Sequence, residues 1–491
     1  MKERRALLNY RMLLQVVGWL LMVEAVFLII PTITSLCYGE AIWKGFLITT
    51  ILTGGVGLNL AFKIEPRNRH LGKREGFLLT ASVWVIFSFF GLIPFMFGNH
   101  HINVTDAFFE AMSGFTTTGA TVFPHDIPLG HGIHLWRAMM QWIGGMGIIL
   151  FTLALLPMLN SSGGMQMFNA EVTGITHDKI RPRVSQTAKS LWLVYIVLTV
   201  ALIILLWIGP MDLFQAICHA FGTISTGGYS TEPDGIAVWC DSLYVKLVVM
   251  IFMLIGGVNF GLIYKCSRGN FKALKTNNVF VAYMGVILGV TVLFVIGLAT
   301  SGHWGNVNSP VLDSLFQVIS TVTSTGFTLV DVSAWGPFVI GLSFVLMFCG
   351  GCAGSTSGGA KIDRMVVLVK NSRNELYRAL YPYNIYSVKL NGRAVDHELV
   401  DKVIGFLCFY VMIFITGGIL LTAAGMPVVD SFFSAFSCIS NTGLDAGVTG
   451  YGSDYVGVPD VCKWILSILM LTGRLEIYTI LILLTPAFWQ R

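Results

Sequence analysis

The chain has 491 residues, 55% of them hydrophobic and 12% charged, with mean hydropathy +0.73 and a formal net charge of +5. Soluble domains carry about 25% charged residues, so the composition excludes a soluble globular protein, a disordered chain and a nucleic-acid binder with a basic face. The nine Cys are scattered through apolar runs with no extracellular disulfide spacing, and read as reduced thiols.

A bilayer core of about 30 Å needs about 20 apolar residues in a helix. Ten stretches qualify: 12–36, 41–62, 76–98, 135–159, 188–210, 242–264, 276–300, 336–358, 400–425 and 462–486. The first has no small-residue cleavage site and is interrupted by Glu24, so it reads as a span rather than a leader. Of the 31 Lys and Arg, 26 fall within 2–11, 63–74, 179–189, 265–275 and 361–402 or at Arg491, all on one side if the ten spans alternate. The positive-inside rule then predicts a multi-pass membrane protein with both termini cytoplasmic. Lys44, Arg137, Lys246 and Lys463 stay at outer helix ends, where they are expected to snorkel. Arg474, near the middle of the last span, does not fit this pattern.

Between spans lie four segments too short to cross: DAFFEAMSGFTTTGA from 106, FQAICHAFGTISTGG from 214, DSLFQVISTVTSTGF from 313 and DSFFSAFSCISNTGL from 430. Each ends in Thr-Gly, with the glycines 108, 99 and 117 residues apart. Asp106, Asp313 and Asp430 stand 13 residues before their glycines and are expected to cap the short helices; Asp212 stands 15 before, a looser register. The period predicts an all-α membrane protein of four tandem helix–short helix–helix repeats. The boundaries are 1–75 for two N-terminal helices and 76–187, 188–275, 276–399 and 400–491 for the repeats. Non-helical backbone at membrane depth survives only where protein buries it or where it lines a watery cavity. Four half-membrane helices, each followed by a glycine-bearing turn around a pseudo-fourfold axis, can aim four sets of carbonyls at one ion.

The segments FEAMSGFTTTGAT, HAFGTISTGGYS, STVTSTGFT, SCISNTGL, GGCAGSTSGGAK and MLTGRLEIYTILILL resemble the TrkH/KtrB superfamily of potassium-uptake proteins over essentially the whole chain. The two extra N-terminal spans place the resemblance on the TrkH side. It implies one polypeptide imitating four channel subunits, a homodimer in the bacterial inner membrane, and a cytoplasmic nucleotide-binding regulatory ring of TrkA-type subunits. With the in-register spacing, it also implies that potassium is held by Thr117-Thr118-Gly119, Ser225-Thr226-Gly227, Ser324-Thr325-Gly326 and Asn441-Thr442-Gly443. In plant relatives Ser at the first of these glycines goes with sodium preference, so Gly119 points to potassium. Phe115, Phe221, Val322 and Ile439 are expected to pack behind the loops.

The eighth stretch contains Gly350, Gly351, Gly354, Gly358 and Gly359, with Ser355, Thr356 and Ser357 among them. Glycine costs a helix interior about 1 kcal/mol relative to Ala, so the run predicts an intramembrane loop below the filter rather than straight helix. The family has a gate here, ending toward Lys361. The matching segments IGGMGII and IGGVNFG hold fewer glycines, which marks the third copy as specialised. An Arg at the bilayer centre costs about 2.5–3.5 kcal/mol on insertion scales, so Arg474 needs a partner or a watery cavity. The resemblance puts it in the pore as part of the gate; the plainer reading is a structural pair with another span.

Cys349-x-x-Cys352 has the spacing of a redox or metal pair but no second pair, and His131-x-x-His134 reads as part of a solvated outer loop. Without a P-loop or a G-x-G-x-x-G fingerprint, nucleotide control falls to a partner. The basic segment 361–402 with Tyr377, Tyr381, Tyr383 and Tyr386 reads as the longest cytoplasmic loop, suited to anionic lipid or to the regulatory ring. An enzyme would need a deep catalytic constellation; Glu24 and Glu476 are the deep carboxylates and lie in separate spans, so no catalytic residue is expected. The alternative is an ion-coupled secondary transporter, which predicts inverted repeats, whereas all four copies here have the same orientation.

Overall fold

The computed structural model describes residues 8–66, 71–98, 102–124, 128–147, 184–300, 309–330, 335–384, 386–444 and 455–490. Two helices come first, α1 (Tyr10–Cys37) and α2 (Trp43–Lys63). Their backbones touch because the contact residues are small: a methyl on Gly18 would lie 2.5 Å from the Ala61 nitrogen, and one on Gly57 2.9 Å from the Gly18 carbonyl.

Four repeats follow. The first comprises a long helix α3 (Lys73–Gly91), a short helix α4 (Val104–Phe115) and a second helix α5 (His131–Gly145). The next has α6 (Val184–Ile208), α7 (Leu213–Ile224) and α8 (Leu243–Gly256), continued by α9 (Phe260–Ser267). The third has α10 (Asn278–Thr300), α11 (Pro310–Val322) and α12 (Pro337–Cys349), followed by α13 (Ile362–Leu380). The last has α14 (His397–Ala423), α15 (Val428–Ile439) and α16 (Asp460–Arg474), continued by α17 (Tyr478–Leu484). Exposed Ile51, Ile208, Leu288 and Ile419 stud the long helices, a surface suited to hydrocarbon rather than water.

Of the ten expected spans only the eighth is expected to break, and that needs correction. Among the described residues six helices are long and apolar enough to cross, and these are α1, α2, the long helix of each repeat. The second helices break instead. α8 and α9 meet at 107°, and α16 and α17 at 113°. α5 stops at Gly145 and α12 at Cys349; the rest of the expected span 135–159 lies largely outside the described residues. The third copy is therefore not alone in breaking. The cause is a close approach: a methyl on Gly144 would lie 1.8 Å from the carbonyl of Phe115, and one on Gly473 2.0 Å from that of Ile439. Each of those carbonyls belongs to the last residue of a short helix, so glycine lets the second helix press its end against the short one.

The expected loop at 361–402 is also corrected. α13 fills its first half, and a small hairpin follows, with Lys389–Leu390 antiparallel to Arg393–Ala394. Asn391 and Gly392 turn it at φ 49° and 79°, the positive-φ pair that two-residue hairpins favour.

Candidate functional site

All four short helices end the same way. The N–H groups of Thr118, Gly227, Thr325 and Thr442 donate back to the carbonyls of Ser113, Gly222, Ser320 and Ser437 at 2.8–3.0 Å. This is the six-to-one bond of a Schellman ending, which requires the preceding residue to be left-handed. Those residues are Thr117, Thr226, Ser324 and Asn441, at φ 55°, 55°, 53° and 52°. None is glycine, and a side chain there costs about 1–2 kcal/mol; Asn441 tolerates the conformation, so the ending is strained at Thr117, Thr226 and Ser324. Two residues on, Gly119, Gly228, Gly326 and Gly443 again take positive φ, 72° to 85°.

This geometry corrects the second loop by one residue. Gly228, not Gly227, is the counterpart of Gly119, so the matching triplet is Thr226-Gly227-Gly228 and Ser225 is the C-cap of α7. Ile224, at the end of α7, takes the place given to Phe221. It is fully buried, as are Phe115, Val322 and Ile439 at the ends of the other short helices.

The loops close into a ring. A methyl on Gly119 would lie 2.2 Å from the Gly227 carbonyl oxygen, and one on Gly228 2.1 Å from that of Thr325. One on Gly326 would lie 2.2 Å from the Thr442 oxygen, and one on Gly443 2.1 Å from that of Thr118, which returns to the first loop. Four equivalent glycines thus abut four equivalent carbonyls in cyclic order. Above the ring opens a cavity of about 300 Å³, bordered by Gly119, Gly228 and Gly326; below it lies one of about 110 Å³, bordered by Asn441, Ser357, Gly358 and Arg474.

Ion pairs brace the short helices from outside. Lys246 Nζ lies 2.6 Å from Asp313, and Lys463 Nζ 2.5 Å from Asp106, so a second helix clasps the short helix of the next repeat in each case. Arg137 Nε lies 2.7 Å from Glu110, whose other oxygen accepts the Val122 N–H at 3.0 Å. Snorkelling is therefore the wrong reading for Arg137, Lys246 and Lys463, all buried. The N-cap positions belong to Asn103, Ser309 and Pro427 rather than to the three Asp residues, and in the second copy to Asp212; Asp313 still helps close the start of its helix, since its second oxygen accepts the Ser309 N–H at 3.1 Å. Fully buried Glu110 is a deep carboxylate that the sequence reading missed; its partner lies 27 residues away, a spacing that no local motif marks. His131 and His134 sit on α5 rather than in a loop, and His131 stacks on Tyr38 at 3.8 Å.

Below the ring, residues 350–361 run as a loop between α12 and α13. Gly350, Gly354 and Gly359 turn it at φ 64°, 74° and 75°. Its polar groups are tied to three repeats. Thr356 Oγ1 donates to the carbonyls of Gly256 and Ile224 at 3.1 and 3.2 Å. The Gly358 N–H donates to Ser324 Oγ at 2.6 Å, and that of Gly351 to Ser357 Oγ at 2.8 Å. Ser355 Oγ turns back to the Cys352 carbonyl at 2.6 Å. A methyl on Gly358 would lie 2.1 Å from the Ser440 carbonyl. Arg474, at the break between α16 and α17, spans the remaining gap. Its guanidinium donates to the Thr356 carbonyl at 2.9 Å and to those of Gly144 and Gly145 at 2.6 and 3.0 Å. Two residues on, Glu476 pairs with Lys361 at 3.1 Å and with Arg364, pinning the far end of the loop. Glu476 and Ile477 both take positive φ, 51° and 53°, which is costly for a β-branched residue.

Comparison with known proteins gives one consistent answer. The TrkH family profile, described as cation transport protein, matches residues 38–279 and 274–491. The Trk system potassium uptake protein TrkH of Escherichia coli K12 is 37% identical over 486 residues, covering 98% of this chain and 100% of that protein. The TrkH of Vibrio parahaemolyticus is 36% identical over 496 residues. A crystal structure of the potassium transporter TrkH from Vibrio parahaemolyticus superimposes with a TM-score of 0.88 at 33% identity, covering 98% of this chain and 100% of that one.

Proposed function

The chain belongs to the TrkH family of cation transport proteins, and from that premise we propose that it is the potassium-conducting membrane subunit of a Trk-type uptake system. The observation that carries the reading is the cyclic contact of four glycines with four carbonyls, since a ring of backbone oxygens can replace the water around potassium. The filter comprises Thr117-Thr118-Gly119, Thr226-Gly227-Gly228, Ser324-Thr325-Gly326 and Asn441-Thr442-Gly443. Four helix C-termini stop just before it, and their partial negative charge favours a cation at the centre. The strained left-handed residues Thr117, Thr226 and Ser324 at the ends of three short helices support a functional rather than a merely packed turn.

The gate is the loop Gly350–Lys361 with Arg474, in the closed state. Gly351, Gly354, Ser355, Thr356, Ser357, Gly358 and Gly359 form its body. Arg474 places a fixed positive charge in the cavity under the ring, and three carbonyls hold it there. Opening requires the loop to leave the breaks of the first and second repeats. A cytoplasmic TrkA-type nucleotide-binding subunit supplies that work. The exposed Leu376, Leu380 and Tyr383, beside Lys370, Arg373 and Arg378, give it a docking surface on and after α13. The protein works as a homodimer in the inner membrane with both termini cytoplasmic, and its repeats run 76–187, 188–275, 276–399 and 400–491.

Rubidium and potassium flux into proteoliposomes of the purified protein tests the reading. Passive flux down the potassium gradient that discriminates against sodium is expected. Flux that stops without a proton or sodium gradient would identify a coupled transporter instead.

A further inference from the structure

The ring is not chemically fourfold, and the exception points to a residue outside the loops. Thr118, Thr325 and Thr442 each carry a hydroxyl that pairs with the hydroxyl two residues earlier: Thr116 at 2.9 Å, Thr323 at 2.7 Å and Ser440 at 2.9 Å. The second loop keeps the earlier hydroxyl, Ser225, but has Gly227 at the threonine position. Ser225 Oγ donates to the Phe221 carbonyl at 2.6 Å, as Thr116 and Thr323 do to those of Met112 and Ile319, but position 227 offers it no hydroxyl to pair with. Glycine is not needed at 227 for its backbone, because the left-handed residues of this loop are Thr226 and Gly228.

What Gly227 provides is room. A methyl there would lie 2.4 Å from Cδ of Gln141 and 2.6 Å from its Oε1. Gln141, fully buried on α5 of the first repeat, occupies the place of the missing side chain. Its Nε2 donates to the Gly227 carbonyl at 2.7 Å, and its Oε1 accepts the Tyr229 N–H at 3.2 Å. The Tyr229 N–H can only donate, which fixes the orientation of the amide. The oxygen that receives the Gln141 donor is the ring oxygen against which Gly119 packs.

We propose that Gln141 is a specificity-determining positioning residue, which stands in for the side chain absent at Gly227 and holds the second ring carbonyl with a permanent hydrogen bond. This rests on the filter reading given above. A donor on a carbonyl draws negative charge from the side facing an ion, and a weaker field disfavours the smaller, more strongly hydrated sodium ion. The same bond, with that to Tyr229, keeps the loop from closing around a smaller ion. Loss of either effect lowers discrimination in the same direction.

The test is the potassium-to-sodium permeability ratio in bilayers for wild type, Gln141→Ala, Gln141→Met, Gly227→Thr and the double variant Gln141→Ala/Gly227→Thr, with Gly119→Ser as reference. Gln141→Ala is expected to lower the ratio about fivefold, the order of one net hydrogen bond. Gln141→Met fills the space without a donor and is expected to lower it too, which keeps the test open if the alanine variant folds poorly. Gly227→Thr alone clashes with Gln141 and is expected to fold poorly. In the double variant the introduced threonine enters the vacated space, pairs with Ser225 as the other three do, and returns the ratio toward wild type. A wild-type ratio in folded Gln141→Ala and Gln141→Met, while Gly119→Ser lowers it, overturns the role of Gln141 and leaves the filter reading standing. A wild-type ratio in Gly119→Ser as well overturns the filter reading itself. A double variant no better than Gln141→Ala overturns the claim that Gln141 replaces the missing side chain.

Discussion

Arg474→Ala is expected to raise potassium flux in the absence of any cytoplasmic partner. Two contributions to the closed state are removed together. The first is electrostatic. The cavity under the ring holds only about 110 Å³ and Arg474 borders it, so an ion there sits roughly 5 Å from the guanidinium. At an effective dielectric near 20, two unit charges repel by about 3 kcal/mol at that distance, roughly a hundredfold in occupancy. The second is mechanical. Arg474 ties the Thr356 carbonyl to those of Gly144 and Gly145, and each hydrogen bond from a charged group contributes about 1.5–3 kcal/mol. Rubidium uptake into proteoliposomes, normalised to folded protein by size-exclusion profile, reads the sum. Arg474→Lys separates the two contributions, because Lys keeps the charge but lacks the planar fork; its flux is expected between wild type and Arg474→Ala. Flux in a folded Arg474→Ala protein at or below the wild-type level would refute the pore placement and identify the arginine as a strut between spans.

Gly119→Ser is expected to lower the potassium-to-sodium permeability ratio in bilayers, because the added Cβ meets the Gly227 carbonyl and strains a backbone at φ 85°. Gly350→Ala with Gly354→Ala is expected to change open probability in single-channel records while leaving that ratio unchanged, since both residues are left-handed in the gate loop and an alanine there costs about 1–2 kcal/mol per site. Lys246→Ala is expected to destabilise the protein by about 3–5 kcal/mol, seen as a lower Tm in detergent, because it strands buried Asp313 without its ion-pair partner. Lys246→Met with Asp313→Leu is expected to recover most of that loss.

The period of the chain, the four short helices and the glycine-bearing turns were legible because each is a local pattern that recurs. The slip at the second loop has a physical cause. Gly227 and Gly228 are adjacent, and Thr223, Ser225 and Thr226 supply hydroxyls in either frame, so matching Ser-Thr-Gly strings selects Gly227. Only the left-handed residue at Thr226 selects Gly228. The looser spacing of Asp212 was a usable signal, because it caps its helix from the N-cap position, where Asp106 and Asp313 lie inside the first turn. The ion pairs Lys246–Asp313 and Lys463–Asp106 join residues 67 and 357 positions apart. No helical periodicity relates such residues, so snorkelling was the natural expectation for each lysine taken alone. The broken second helices were half legible. The Gly-Gly pair at 144–145 looks like ordinary close packing until the Phe115 carbonyl that Gly144 approaches is known.

Two departures from fourfold symmetry lie at the ring and directly beneath it. A channel of four identical subunits must change every quadrant at once. In a single chain each loop has its own neighbours, so one quadrant can be tuned alone. The structure uses that freedom at two levels. Beside the ring, the Gly227 carbonyl takes its hydrogen bond from the first repeat, whereas the other three loops carry a hydroxyl pair of their own. Below the ring, one repeat supplies the long loop, the fourth supplies Arg474, and the first two supply the carbonyls and backbone surfaces on which these rest. On the proposed reading, the ring calls for near-identity at the carbonyls, and a gate of one loop and one arginine calls for its absence just below. In the first and fourth repeats the second helices reconcile the two demands by pressing their ends against the short helices, at Gly144 on Phe115 and Gly473 on Ile439.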